Sequence, residues 1–104
     1  MEITMKEVRE EIDLIDKEIV LLLSQRQKCI EKAAFVKKRK SLVVDNKRID
    51  EVISKVSNFG VDCGLSSQIS IPLWTTLINL SIEHEFKEID KLKEKTKGIV
   101  KQID

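Results

Sequence analysis

The chain has no tyrosine, a single proline, three glycines and two cysteines among its 104 residues, and each shortage removes a class of structure. Sheets need β-branched and aromatic residues set between turn-forming Gly and Pro, so a sequence this poor in aromatics and chain breakers argues against strands. Cys29 and Cys63 stand far apart and match no metal-ligand spacing, which makes both reduced thiols and leaves no disulfide framework or metal centre to expect. Charge of one sign is also missing: 19 bases against 18 acids leave a net +1, so no global field attracts nucleic acid or an anionic membrane. No apolar run approaches a bilayer span, and Met1 to Glu11 is charged throughout without the apolar core of a signal peptide. A soluble cytoplasmic protein of one domain, residues 1–104, is expected.

What the sequence does have is helical periodicity. Val8, Ile12, Ile15, Ile19 and Leu22 recur in alternating steps of four and three; Arg26 takes the next position, Cys29 and Ala33 resume the stripe, and it meets Lys37. A seam of this kind faces a partner helix and excludes water, so a guanidinium within it loses hydration unless an anion compensates it. The compensating group is either a buried carboxylate or a ligand.

The fold class read from these patterns is all-α with three helices. The first runs from about Thr4 or Met5 to about Arg39, with acids early and bases late as the helix dipole favours. The second is announced by Asp45 as N-cap, carries Ile49, Val52, Val56 and Phe59 on one face and ends at Gly60, with a turn-rich connection over Val61–Ser67. The third is capped by Ser66 or Ser70 and is expected to be regular only from about Ser70, because Pro72 fits best in a first turn. Residues 91–104 read as a solvated extension, in which Thr96, Ile99 and Ile103 prolong a stripe weakened by Gly98.

Length carries an argument about assembly. A first helix of about 35 residues is a rod of roughly 50 Å, whereas a compact domain of this size has a radius of gyration of only about 13 Å. Two shorter helices cannot cover such a stripe, so a homodimer with the long helices packed together is expected.

The third helix places Trp74, Ile78, Ser81, Glu85, Ile89 and Leu92 on one face, which puts Ser81 and Glu85 among apolar neighbours. Arg48 stands one position off the apolar face of helix two and Arg9 one off that of helix one. Arg26, Lys37, Ser81 and Glu85, with Arg48 and Arg9, form a cation-rich set. It has no nucleophile with its base, no Gly-rich phosphate loop and no carboxylate pair, so it suits a small dianion whose reaction needs shape and charge stabilisation. His84, between two glutamates and off the stripe, reads as a surface residue, Cys29 as a small core residue and Trp74 as packing.

The run Val8-Arg9-Glu10-Glu11-Ile12-Asp13-Leu14-Ile15-Asp16, then Leu22-Leu23-Ser24-Gln25-Arg26, Lys37 and Asp45-Asn46-Lys47-Arg48, resembles the all-helical chorismate mutases and their relative isochorismate pyruvate lyase over residues 5–90. That resemblance implies an intertwined homodimer of three-helix protomers and a cofactor-free pericyclic reaction of a small dianion, chorismate to prephenate, within aromatic amino acid biosynthesis by the shikimate pathway. It implies that Arg26 and Arg9 clamp the two substrate carboxylates, Arg9 reaching the partner's site, and that Lys37 hydrogen-bonds the ether oxygen. Asp45, Arg48 and Ser81 would line the site. Two departures bear on the reaction. Ile49 replaces the Glu that binds the ring hydroxyl in the mutases, as an aliphatic residue does in the lyase. Glu85 stands where most bacterial members have Gln, as in the fungal enzymes, and beside a dianion it would work only when protonated, which implies an acid-shifted activity profile. The alternatives are the lyase reaction, giving salicylate and pyruvate, and a catalytically degraded homologue serving as a binding or regulatory dimer.

Overall fold

A computed structural model describes the backbone of residues 2–103 and the side chains of residues 2–95. Among the described residues the chain is all-helical: α1 spans Met5–Lys37, a 3-10 turn spans Lys40–Leu42, α2 spans Asn46–Asp62 and α3 spans Ser67–Ile103, with no strand. No helix among them is long and apolar enough to cross a membrane. The Thr96, Ile99 and Ile103 side chains lie outside the described residues.

α1 starts at a capping box. The Thr4 hydroxyl accepts from the Glu7 N–H at 3.2 Å, and a Glu7 carboxylate oxygen accepts from the Thr4 N–H at 3.4 Å, so two of the free amides of the first turn are satisfied. The helix stops at Lys37 rather than at Arg39, because Lys38 takes the left-handed conformation (φ 62°) and its N–H bonds back to the Ala34 carbonyl at 2.9 Å. The run Lys37 to Lys40 is thereby split: Lys37 stays on the helix, and the following residues lead into the 3-10 turn that carries Val43 into the core.

α2 is capped by Asp45, whose Oδ1 accepts from the Arg48 N–H at 3.1 Å. It ends at Asp62, one half-turn beyond the expected Gly60, and Phe59 is largely exposed rather than part of its packed face. The connection is only Cys63–Ser66, with Gly64 supplying the positive φ (86°) that reverses the chain.

α3 begins at Ser67, a turn earlier than expected. Ser66 is the cap: its hydroxyl accepts from the Gln68 N–H at 3.2 Å, and its carbonyl takes the N–H groups of Ile69 and Ser70. Pro72 therefore sits inside the helix. Its missing donor costs the Gln68 carbonyl a partner, but Gln68 is exposed and water can serve it.

Both other helices pack on α3. The fully buried centre is small, formed by Ala34 of α1, Val43 of the 3-10 turn and Ile89 of α3, with Ile82 and Phe86 packed against it. It lies at the C-terminal end of α1. Towards the other end the apolar stripe is uncovered: Ile12, Ile15 and Ile19 are each about half exposed and Leu22 is 62% exposed. Cys29 is exposed too, not a core residue, because the packed face of α1 runs through Arg26, Ile30, Ala33 and Lys37. The molecule measures 74 × 31 × 15 Å with a radius of gyration of 18.9 Å, well beyond the ~13 Å of a compact chain of this length.

Candidate functional site

A cavity of about 410 Å³ opens where the three helices meet. α1 contributes Arg26 and Lys37, three turns apart on one face, and Ile30 and Ala33 between them form an apolar wall. The first turn of α2 contributes Asp45, Arg48 and Ile49, so the partial positive charge of its free amides faces the same space. α3 contributes Ile78, Ser81 and Glu85, one helical turn apart in succession.

Two contacts link α1 to α3 across this cavity. The Arg26 guanidinium donates through Nη1 to the Ser81 hydroxyl at 2.6 Å, and that hydroxyl donates to the Leu77 carbonyl at 2.7 Å. The serine therefore fixes the guanidinium without neutralising it. Burial pushes the Arg26 pKa below its usual value, with the Cys29 sulfur acting in the other direction. The group stays cationic, since a guanidinium keeps its proton in proteins. A cation held this way has unmet demand for an anion.

The second link is an ion pair. Lys37 Nζ lies 3.0 Å from Oε1 of Glu85, whose side chain is only 5% exposed while that of Lys37 is 32% exposed. Oε1 has no hydrogen-bond partner of good geometry, so its contact with Lys37 is Coulombic rather than an aligned hydrogen bond. The half-exposed lysine can therefore turn its ammonium into the cavity without breaking an aligned hydrogen bond.

The other two lining charges are less committed. Arg48 approaches Glu51 only to 3.7 Å, with both side chains about half exposed. Such a pair is worth little and leaves the guanidinium free to swing inward. Asp45 is occupied by its cap. With Arg26, Lys37 and Arg48 set against Asp45 and Glu85, the wall is cationic by one charge, and Ile49, Val52 and Ile78 make one side of it apolar.

Seven of the eight residues singled out from the sequence thus border one cavity: Arg26, Lys37, Asp45, Arg48, Ile49, Ser81 and Glu85. Arg9 does not, being exposed near the opposite end of α1. Val43, which closes the cavity floor, carried no signal in the sequence, since a single valine in a short inter-helix segment has no periodicity to mark it. Ile30 was detectable as the residue four after Arg26 and four before Ala34. His84 is half-buried at the α1–α3 contact rather than a free surface residue, and its Nε2 lies 3.2 Å from a Glu31 oxygen.

The fold and cavity define an all-helical scaffold whose three helices enclose a pocket lined by three cations, two carboxylates and an apolar wall. Comparison with family models sharpens this: the chorismate mutase type II model matches residues 8–86, and the chain belongs to that family. The matched span covers α1 from its first turn, all of α2 and α3 through Phe86, and so includes every residue that borders the cavity. Comparisons with curated proteins and with solved structures give no match.

Proposed function

We propose that the chain is a cofactor-free chorismate mutase, converting chorismate to prephenate in a cytoplasmic homodimer of this single domain. The observation that supports this reading most is the convergence of Arg26, Lys37, Arg48, Ser81 and Glu85 from three helices on one cavity of substrate size. The Claisen rearrangement is unimolecular: a C–C bond forms as the ether C–O bond breaks, with no group left on the protein. Catalysis then consists of holding the enolpyruvyl arm over the ring and stabilising the charge that grows on the ether oxygen.

In this reading Arg26, already aimed by Ser81, pairs with one substrate carboxylate in the bidentate geometry that only a guanidinium offers. Lys37 leaves Glu85 and donates to the ether oxygen, an interaction stronger in the transition state than in the substrate. Glu85 is then a buried carboxylate facing a dianion, and it serves as a second donor to that oxygen once it takes up a proton. Asp45 holds the first turn of α2 in place, and Arg48 swings in from the rim. The uncovered stripe of α1 supports pairing with a second copy, whose Arg9 would supply the second carboxylate clamp.

Ile49 favours a second reading. With Val52 of α2 and Ile78 of α3 it makes one side of the cavity apolar, so a ring hydroxyl placed there loses its hydrogen bonds to water without replacement. Isochorismate, with its hydroxyl elsewhere on the ring, escapes that cost, and elimination of pyruvate would leave salicylate. Supplying the purified protein with chorismate and isochorismate separately decides between them: prephenate from the first supports the mutase, salicylate with pyruvate from the second supports the lyase. Turnover of neither, with no binding of a rigid dianionic mimic, overturns both and leaves a non-enzymatic dimer.

A further inference from the structure

We infer that Glu31, His84 and Glu88 form a binding site for one divalent transition-metal ion, bridging α1 and α3 outside the dianion cavity. His84 and Glu88 are four residues apart on α3, which places both side chains on one face of the helix, and Glu31 meets them from α1. The three side chains are each half-buried, and one ligand atom from each lies within 4.8 Å of the others.

The separations fit a metal better than they fit a hydrogen-bonded network. His84 Nε2 is 3.2 Å from Glu31 Oε2 and 3.8 Å from Glu88 Oε1. Zinc bonds of about 2.0–2.2 Å at tetrahedral angles put neighbouring ligand atoms about 3.3–3.5 Å apart; both histidine–carboxylate separations lie within a few tenths of an ångström of that, and the two carboxylates, within 4.8 Å of each other, close on the ion by side-chain rotation. A single imidazole nitrogen can satisfy only one of two carboxylates by a hydrogen bond, whereas an ion satisfies both. The ion takes Nε2 in the tautomer that carries its proton on Nδ1.

One nitrogen and two carboxylates leave a fourth position open. His84 also borders a second cavity, of about 250 Å³, large enough to hold a water. Lys91 Nζ, 3.1 Å from Glu88 Oε1, is the competitor; its side chain is 66% exposed and turns into solvent at little cost. The imidazole selects zinc and its transition-metal neighbours over magnesium and calcium, which prefer all-oxygen sites. His84 is one turn from Ser81, so the bound ion would pin the helix pair that also positions Arg26. The site rests on its own three ligands and does not depend on the reaction assigned to the neighbouring cavity.

The test is titration of the metal-free chain with Zn²⁺ against a chromogenic chelator, together with the thermal midpoint with and without the ion. One equivalent is expected to bind and to raise the midpoint. His84→Ala and the milder Glu31→Gln should each weaken binding by more than the roughly 10–100-fold typical of losing a merely supporting group. Helix content from circular dichroism confirms that the variants fold, and a Cys29→Ser/Cys63→Ser chain should bind as the wild type does. No stoichiometric binding by the wild type, affinity unchanged in both ligand variants, or affinity lost with the cysteines would each overturn the inference.

Discussion

The two halves of α1 share one heptad and do different things with it. Residues 8–22 carry Ile12, Ile15, Ile19 and Leu22 on a face left about half exposed or more among the described residues. Residues 26–37 meet α3 on a face rotated by one residue from that stripe, through Ile30 and the fully buried Ala34, with Arg26 and Lys37 standing where aliphatic residues would continue the stripe. Burying an aliphatic side chain is worth about 1.5–3 kcal/mol, so the first half has an unrealised gain that a second chain can supply. The second half gives up part of that gain to hold cations in a half-buried wall. The contrast shows how a single helix can carry an assembly surface and a charged pocket without a change of period.

The largest expected effect breaks the first half. Ile15→Asp puts a carboxylate in the uncovered stripe, where pairing would desolvate it, and is expected to turn a dimer into a monomer in sedimentation velocity. Loss of turnover should follow, because Arg9 would no longer reach a second cavity. A dimer that survives this substitution would place the interface elsewhere.

Next in size is a change in the second half. Lys37→Met keeps the stem and removes the ammonium, and is expected to lower kcat by about 10²–10³-fold, the usual cost of one donor to a developing oxyanion. Steady-state kinetics on the folded variant measures it. A change confined to KM would make Lys37 a binding group only.

Glu85→Gln sharpens the comparison through pH. A carboxyl donates a hydrogen bond only in its protonated form, so a wild-type rate that depends on this donor falls as pH rises. Gln donates the same hydrogen bond at every pH, so the variant should lose that slope. Parallel profiles for the two proteins would remove Glu85 from the protonation step.

The smallest effect concerns the rim. Asp45→Ala removes the cap of α2 and should cost about 1 kcal/mol in urea unfolding, whereas Asp45→Ser keeps a cap and should recover most of it. Activity lost in the serine variant would then report the carboxylate itself rather than the cap.

Most of the cavity was legible in the sequence because its residues obey helical periods. Arg26 and Lys37 stand where aliphatic residues belong, and Ser81 and Glu85 interrupt the face of α3 in the same manner; a polar residue in an apolar stripe is a signal one sequence can carry. Arg9 and Arg48 joined that set only from the edges of their apolar faces, and the resemblance to the chorismate mutases gave them, Asp45 and Ile49 their site roles. Helix ends were less legible. Lys38 in a left-handed cap and Ser66 as the start of α3 are settled by which backbone groups find partners, and several residues nearby are equally capable caps. Cys29 and His84 were misplaced because the face of α1 that meets α3 is rotated by one residue from the heptad, which follows the uncovered stripe instead. Tertiary packing chooses between those two faces, and local pattern does not.

Arg26 is the residue on which an active site between α1, α2 and α3 depends most directly. The measurement is kcat/KM for conversion of chorismate to prephenate by the wild-type chain and by Arg26→Ala, with folding of both checked by circular dichroism. Removing a half-buried guanidinium that clamps a substrate carboxylate should lower kcat/KM by at least about 10²-fold. Equal values for the two proteins would contradict the assignment of the cavity between α1, α2 and α3 as the active site.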